Sequence, residues 1–204
     1  MRNTILASAI AVALATPALA AGPHTLDISA GATFSKQMDD TVNLPEVGVA
    51  YTYGMPSGFN LGAALNVSQG NDAPYALEAT TEGRLGYSQK ISVFTLGAKG
   101  GLGYRLASER DATGAQSDGH LYYAGYLTAD VNLNDAVTLN AISYRYRNSF
   151  DTTKFPYESH LVGTGVTFNV ADGRALYVAY GHEFGKENGA NDTNSVTAGF
   201  KLGF

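Results

Sequence analysis

The sequence predicts an all-β chain: a transmembrane up-and-down antiparallel barrel, with ten strands expected and eight as the smaller alternative. Three observations carry that expectation. From Thr25 onward the chain breaks into segments in which apolar and polar residues alternate with period two. The polar face of each segment is mostly Gly, Ala, Ser, Thr and Asn with occasional single charges, whereas a water-facing strand carries Lys, Glu and Thr. Connections alternate in length as well, short and then long, as a barrel with tight periplasmic turns and larger outer loops requires.

The first residues are a separate element. Arg2 supplies a basic start, Thr4 to Leu14 an apolar middle, and Ala18-Leu19-Ala20 a small-x-small exit. A helix needs about 20 apolar residues to cross a bilayer. This shorter layout is that of a secretory signal peptide over residues 1–20, cleaved after Ala20. A single barrel domain is expected over residues 21–204, with no second domain.

Alternation is clear in the first strand, where Leu26, Ile28, Ala30, Ala32 and Phe34 oppose Asp27, Ser29, Gly31 and Thr33. It is cleanest from Phe59 to Gln69, with Phe59, Leu61, Ala63, Leu65 and Val67 against Asn60, Gly62, Ala64, Asn66 and Ser68. Phe94, Leu96, Ala98, Leu102 and Tyr104 oppose Thr95, Gly97, Lys99, Gly101 and Arg105. The last strand sets Val196, Ala198, Phe200, Leu202 and Phe204 against Ser195, Thr197, Gly199, Lys201 and Gly203. Tyr and Phe often end the apolar faces, the girdle pattern of lipid-facing strands.

Tight connections are expected at Met55 to Gly58, Gln89 to Ile91, Asn134-Asp135 and Asp172 to Arg174. Long polar ones are expected at Ser35 to Pro45, Gly70 to Ala76, Ala107 to Gly119, Asp151 to Tyr157 and Lys186 to Asn194. Four short and five long connections join ten strands and leave both termini on one side.

Composition excludes several classes. Formal charge is −5, or −6 once the signal peptide removes one Arg and no acid, and Lys and Arg occur singly, against a nucleic-acid partner. There is no cysteine, which excludes disulfides, thiolate chemistry and Cys-ligated zinc.

The mature chain resembles the small outer-membrane barrels of diderm bacteria, the group that includes the membrane domain of OmpA-like proteins and small porin-like channels. Gly199-Phe200-Lys201-Leu202-Gly203-Phe204 carries the likeness most sharply. It looks like the C-terminal signal read by the barrel-assembly machinery, which would recognise Phe200, Leu202 and Phe204. The resemblance implies an outer-membrane location, with membrane lipid and lipopolysaccharide as surroundings. It covers class and biogenesis; the wall-binding role of full-length OmpA-like proteins does not carry over.

If apolar faces meet lipid, Asp27, Glu82, Arg84, Lys99, Arg105, Asp130 and Lys201 point into the lumen. A turn at Lys90-Ile91 would set Glu82 opposite Lys99, and barrel closure would bring Asp27 near Lys201. Between Val137 and Arg147 the parity breaks, since Leu139 shares its face with Arg145 and Arg147. An Arg facing lipid at the midplane costs about 2–4 kcal/mol. A bulge between Leu139 and Tyr144 would turn both arginines inward and make the outer lumen basic, favouring small anions. Two readings follow. Opposite charges neutralise each other and fill a closed structural barrel, or they line a narrow passive pore for small solutes and ions.

Catalysis and loop binding are the alternatives: an outer-membrane lipid hydrolase or protease, or an adhesin or receptor acting through its loops. Glu158-Ser159-His160 has suitable residue types, but neighbours on a strand face opposite sides, so Ser159 and His160 cannot act as nucleophile and base. His182-Glu183 fails likewise, and His160 with His182 lacks a third metal ligand. No cofactor-binding motif is present. Asp39, Asp40, Asp72, Asp111, Asp118 and Asp192 fall in the expected loops, as solvated surface or as contacts for cations and lipopolysaccharide-bound divalent ions.

Overall fold

The computed structural model describes residues 22–35, 44–69, 77–111, 114–153, 158–185 and 192–204. The expected signal peptide and Asp39, Asp40 and Asp72 lie outside these residues. Alternating segments become β1 (His24–Ser35), β2 (Leu44–Gly54), β3 (Phe59–Gln69), β4 (Leu77–Ile91), β5 (Phe94–Asp111), β6 (Gly114–Asn132), β7 (Val137–Ser149), β8 (Glu158–Ala171), β9 (Arg174–Gly185) and β10 (Thr193–Gly203). Each strand pairs antiparallel with its neighbours in sequence, and β1 pairs with β10 to close a ten-strand ring. The strands run from 11 to 19 residues. A tilted strand of about 9–11 residues suffices to cross a bilayer.

What holds this barrel together is not an internal apolar core. The large apolar side chains point outward, with Leu102 65% and Leu121 61% exposed, alongside Leu85, Leu127 and Val178. Such a continuous belt is an aggregation surface in water and the contact surface in lipid. No helix among the described residues is long and apolar enough to cross a membrane. Aromatic pairs mark both rims, with Phe59 against Tyr87 near the short turns and Tyr123 against Phe150 near the loops.

The turn after β4 departs from the sequence expectation. Ile91 still pairs with Phe94, and the turn falls on Ser92-Val93, with Ser92 at φ 57°. A turn centre moved by two residues moves every partner by four. Glu82 therefore faces Gly103, and Lys99 faces Gly86. The segment from Ala107 to Gly119 is not a loop either. β5 and β6 continue pairing up to Asp111 and Gly114. β6 meets β7 only from Tyr122 inward, so this hairpin projects beyond the paired edge of β7. Alternation weakens in Ser108 to Ser117, but hairpin pairing holds the strands together without an apolar face.

The irregularity expected in β7 is present. Pairing skips from Asn140 to Ile142 against β6 and from Asn140 to Ser143 against β8. One extra residue is absorbed, which resets the parity so that Tyr144 and Tyr146 face outward and Arg145 and Arg147 inward.

The closing seam is clasped. His24 and Phe204 exchange backbone hydrogen bonds of 3.1 and 2.9 Å. The His24 ring stacks on Phe204 at 5.5 Å and 15°, and its Nδ1 lies 2.6 Å from the Tyr51 hydroxyl. Aromatic pairs contribute about 0.5–1.5 kcal/mol beyond area burial. His24→Ala is expected to lower the urea midpoint of the detergent-folded barrel by a fraction corresponding to about 1 kcal/mol. An unchanged midpoint would show that the seam does not depend on the clasp.

Candidate functional site

Period-two geometry places most charged side chains of the strands on one inner surface, Glu158 and Arg174 falling on the outer face. Cations Arg84, Lys99, Arg105, Arg145, Arg147 and Lys201 share the lumen with Asp27, Glu46, Glu78, Glu82, Asp130 and Glu183. Bulky residues come mainly from β4 to β7. β1, β2, β3 and β8 contribute Ser29, Gly48, Ala64 and Gly165, leaving room for the long side chains opposite.

Glu82 is the centre of the strongest cluster. It accepts hydrogen bonds from Arg84 Nε and the Tyr126 hydroxyl, and Arg147 Nη2 lies 3.7 Å from its second oxygen. Its side chain is 1% exposed and that of Arg147 8%. Tyr126 lies under the Arg84 guanidinium at 4.9 Å and Tyr122 under that of Arg147 at 5.1 Å. The Glu82–Arg147 contact joins β4 to β7 and so forms a chord of the ring. Tyr122 has its own constraint, because its ring lies where a Cβ at Gly103 would be; only glycine fits there.

Other charges form shorter links. Arg105 donates to Glu78 at 2.9 Å, and Arg145 donates to Glu183 at 2.7 Å. Asp27 stands opposite Lys201 in the β1–β10 register. The Tyr177 hydroxyl donates to Asp27 at 2.8 Å, while the Lys201 ammonium lies 4.9 Å from the Tyr177 ring centre. Asp130 accepts from Asn140 at 3.0 Å, and Asn140 accepts from Thr167 at 2.9 Å.

These links correct one expectation. The outer lumen is not a free basic patch, because Arg105, Arg145 and Arg147 each meet a glutamate. A preference for small anions does not follow from the arginines alone. Glu46, Glu78 and Glu183, and the ring partners Tyr122, Tyr126 and Tyr177, were not singled out by sequence as lumenal residues. Their parity was the available signal, since each shares a face with a small lumenal residue of its own strand, as Glu46 does with Gly48. Phe200 and Leu202 pack beside Leu26 on the outer wall, and Phe204 ends at the seam with His24.

The other candidates separate. Ser159 is buried on the lumenal side, whereas His160 faces outward, 2.7 Å from the Tyr144 hydroxyl and 3.3 Å from Glu158. His182 is also outside, 2.9 Å from Asn194 and 3.8 Å from Asp192. No group of three or more metal-ligating residues occurs among the described residues. Asp118 lies on the projecting part of β6, and the backbone of Asp111 ends β5.

No family model matches the sequence, and no curated protein matches it in sequence. Solved structures do match in shape. Neisserial surface protein A is similar over 91% of this chain and 100% of its own, with 11% identity and a TM-score of 0.51. The NanC porin matches 88% of this chain and 100% of its own, at 12% identity and a TM-score of 0.53. The β domain of the Bordetella autotransporter BrkA covers 90% of this chain and 100% of its own, at 13% identity and a TM-score of 0.54. Identities this low speak to fold. Together with the closed ring and its apolar exterior, they show that this chain has the fold of the small bacterial outer-membrane β-barrels, built here from ten strands.

Proposed function

We propose that the barrel is a narrow passive channel for small polar solutes and ions. The observation that carries this reading is a lumen lined by charges that remain partly open to water. Arg84 and Arg105 side chains are 23% exposed and Glu183 30%, although all three face inward. A side-chain-filled interior would bury them, as an eight-strand barrel just does. Ten strands enclose more, and the small lumenal residues Ser29, Gly48, Ala64 and Gly165 of β1, β2, β3 and β8 take up little of it. Paired charges keep water in the lumen while limiting net attraction for either sign of ion.

Export by the segment over residues 1–20, recognition of Phe200, Leu202 and Phe204 by the assembly machinery, and outer loops among lipopolysaccharide belong to the same reading. The competing reading is a closed structural barrel, favoured by the burial of Glu82 and Arg147 across the ring. Single-channel recording in planar bilayers decides between them. Steady unit currents are expected from the purified barrel; silence at high protein density would establish the closed form instead.

A further inference from the structure

Resting on the channel reading, we infer that Lys99 and Lys201 form a two-ammonium site for small oxyanions in the half of the lumen nearer the short turns. β5 and β10 are five strands apart in either direction around the ring, so they stand on opposite walls. Lys99 is near the start of β5 and Lys201 near the end of β10, the ends that lie on the side of the short turns. Both share a face with small lumenal residues of their own strands, Lys99 with Gly97 and Gly101 and Lys201 with Gly199.

What distinguishes the two lysines is the absence of a close acid. Arg84, Arg105, Arg145 and Arg147 each hold a glutamate within 4 Å, whereas neither lysine has a carboxylate that near among the described residues. The acids in this half of the lumen are turned to neutral donors, Asp27 to the Tyr177 hydroxyl and Asp130 to Asn140. At Lys99 the balance of charge is positive, since Arg84 and Lys201 act on it more strongly than Asp130 and Asp27 do. Asp27 in turn has three cations acting on it, Lys201, Arg84 and Lys99. Glu82 holds Arg84, which leaves the two ammoniums as the cations open to a solute. Each carries three N–H donors and accepts nothing, so the partner it calls for is an anionic oxygen.

Dimensions fit a small solute. A ten-strand ring with strands about 4.8 Å apart and tilted by about 40° has a Cα diameter of roughly 20 Å. The Lys99 stem lies against Gly86, in the space a Cβ there would take, and the Lys201 ammonium lies against the Tyr177 ring, so both flank the passage along its walls. Extended inward by about 6 Å each, they would leave a gap of roughly 8 Å. A tetrahedral oxyanion with a hydrogen bond of about 2.8 Å on either side spans that gap. Rings of lysine and arginine are the means by which pores favour anions and phosphate.

Planar bilayers carrying the full mature barrel test the site, with inorganic phosphate as the probe. Under a KCl gradient the wild-type reversal potential is expected on the anion side, and phosphate is expected to reduce the chloride current. Lys99→Gln keeps a donor and removes the charge; it should move the reversal potential toward cations and raise the phosphate concentration needed for half-block by about tenfold. Lys99→Arg should restore both, and Lys201→Gln should reproduce the loss from the opposite wall. Folding of every variant is checked by the heat-dependent gel shift. A wild-type reversal potential at zero or on the cation side, no block by phosphate, or a block unmoved in the folded Lys→Gln variants would overturn the anion site while leaving the channel in place. Silent bilayers at high protein density would remove the channel and the site with it.

Discussion

Glu82→Ala is expected to be the most damaging single substitution in the lumen, lowering stability by about 3–5 kcal/mol. The reason is asymmetric. A buried pair gains little over an apolar one, but removing one partner leaves the other buried and uncompensated. Here the carboxylate serves Arg84, Tyr126 and Arg147 together, and its side chain is 1% exposed. Its loss strands positive charge on both β4 and β7. In detergent, the folded band of the variant should convert to the unfolded mobility at distinctly lower temperature and urea than the wild type. Glu82→Gln, which keeps an acceptor for Tyr126 and loses the charge, should fall between the two. A Glu82→Ala barrel as stable as wild type would mean that the cluster does not brace the wall.

The second large effect separates inside from outside. Val178 projects from the middle of β9 into lipid, between Val166 and Ala198 at the middles of β8 and β10, whereas Asn66 on β3 faces the lumen beside Gly48. Val178→Arg should cost about 2–4 kcal/mol, the penalty for a charge on the lipid face near the midplane. Asn66→Lys puts the same charge into a polar, partly hydrated lumen and should cost much less while altering ion selectivity. Equilibrium unfolding in lipid vesicles measures both. Equal penalties would invert the assignment of faces on which the lumenal site depends.

Much of the barrel was legible from one residue to the next. Phe59 to Val67 and Val196 to Phe204 announce their faces by alternation alone. The parity break from Leu139 to Arg147 announced its bulge too, because two arginines cannot face lipid at no cost. The site was less legible. Asp27 and Lys201 were foreseeable as neighbours, since a closed ring must pair its first and last strands. Glu82 was matched with Lys99, and its actual partners Tyr126 and Arg147 are 44 and 65 positions away in sequence. Glu183 was passed over for a similar reason: it matters because of Arg145, two strands away.

The sequence by itself therefore determined which side of each strand meets lipid and how many strands there are. These follow from a period of two and from turn residues, both local properties. Only the tertiary structure decided which charges meet. Register depends on where a turn is centred, as Ser92-Val93 shows, and contacts across the lumen depend on how the ring closes. Neither leaves a trace in local alternation, because sliding a strand by two residues keeps every side chain on its face while giving it new partners.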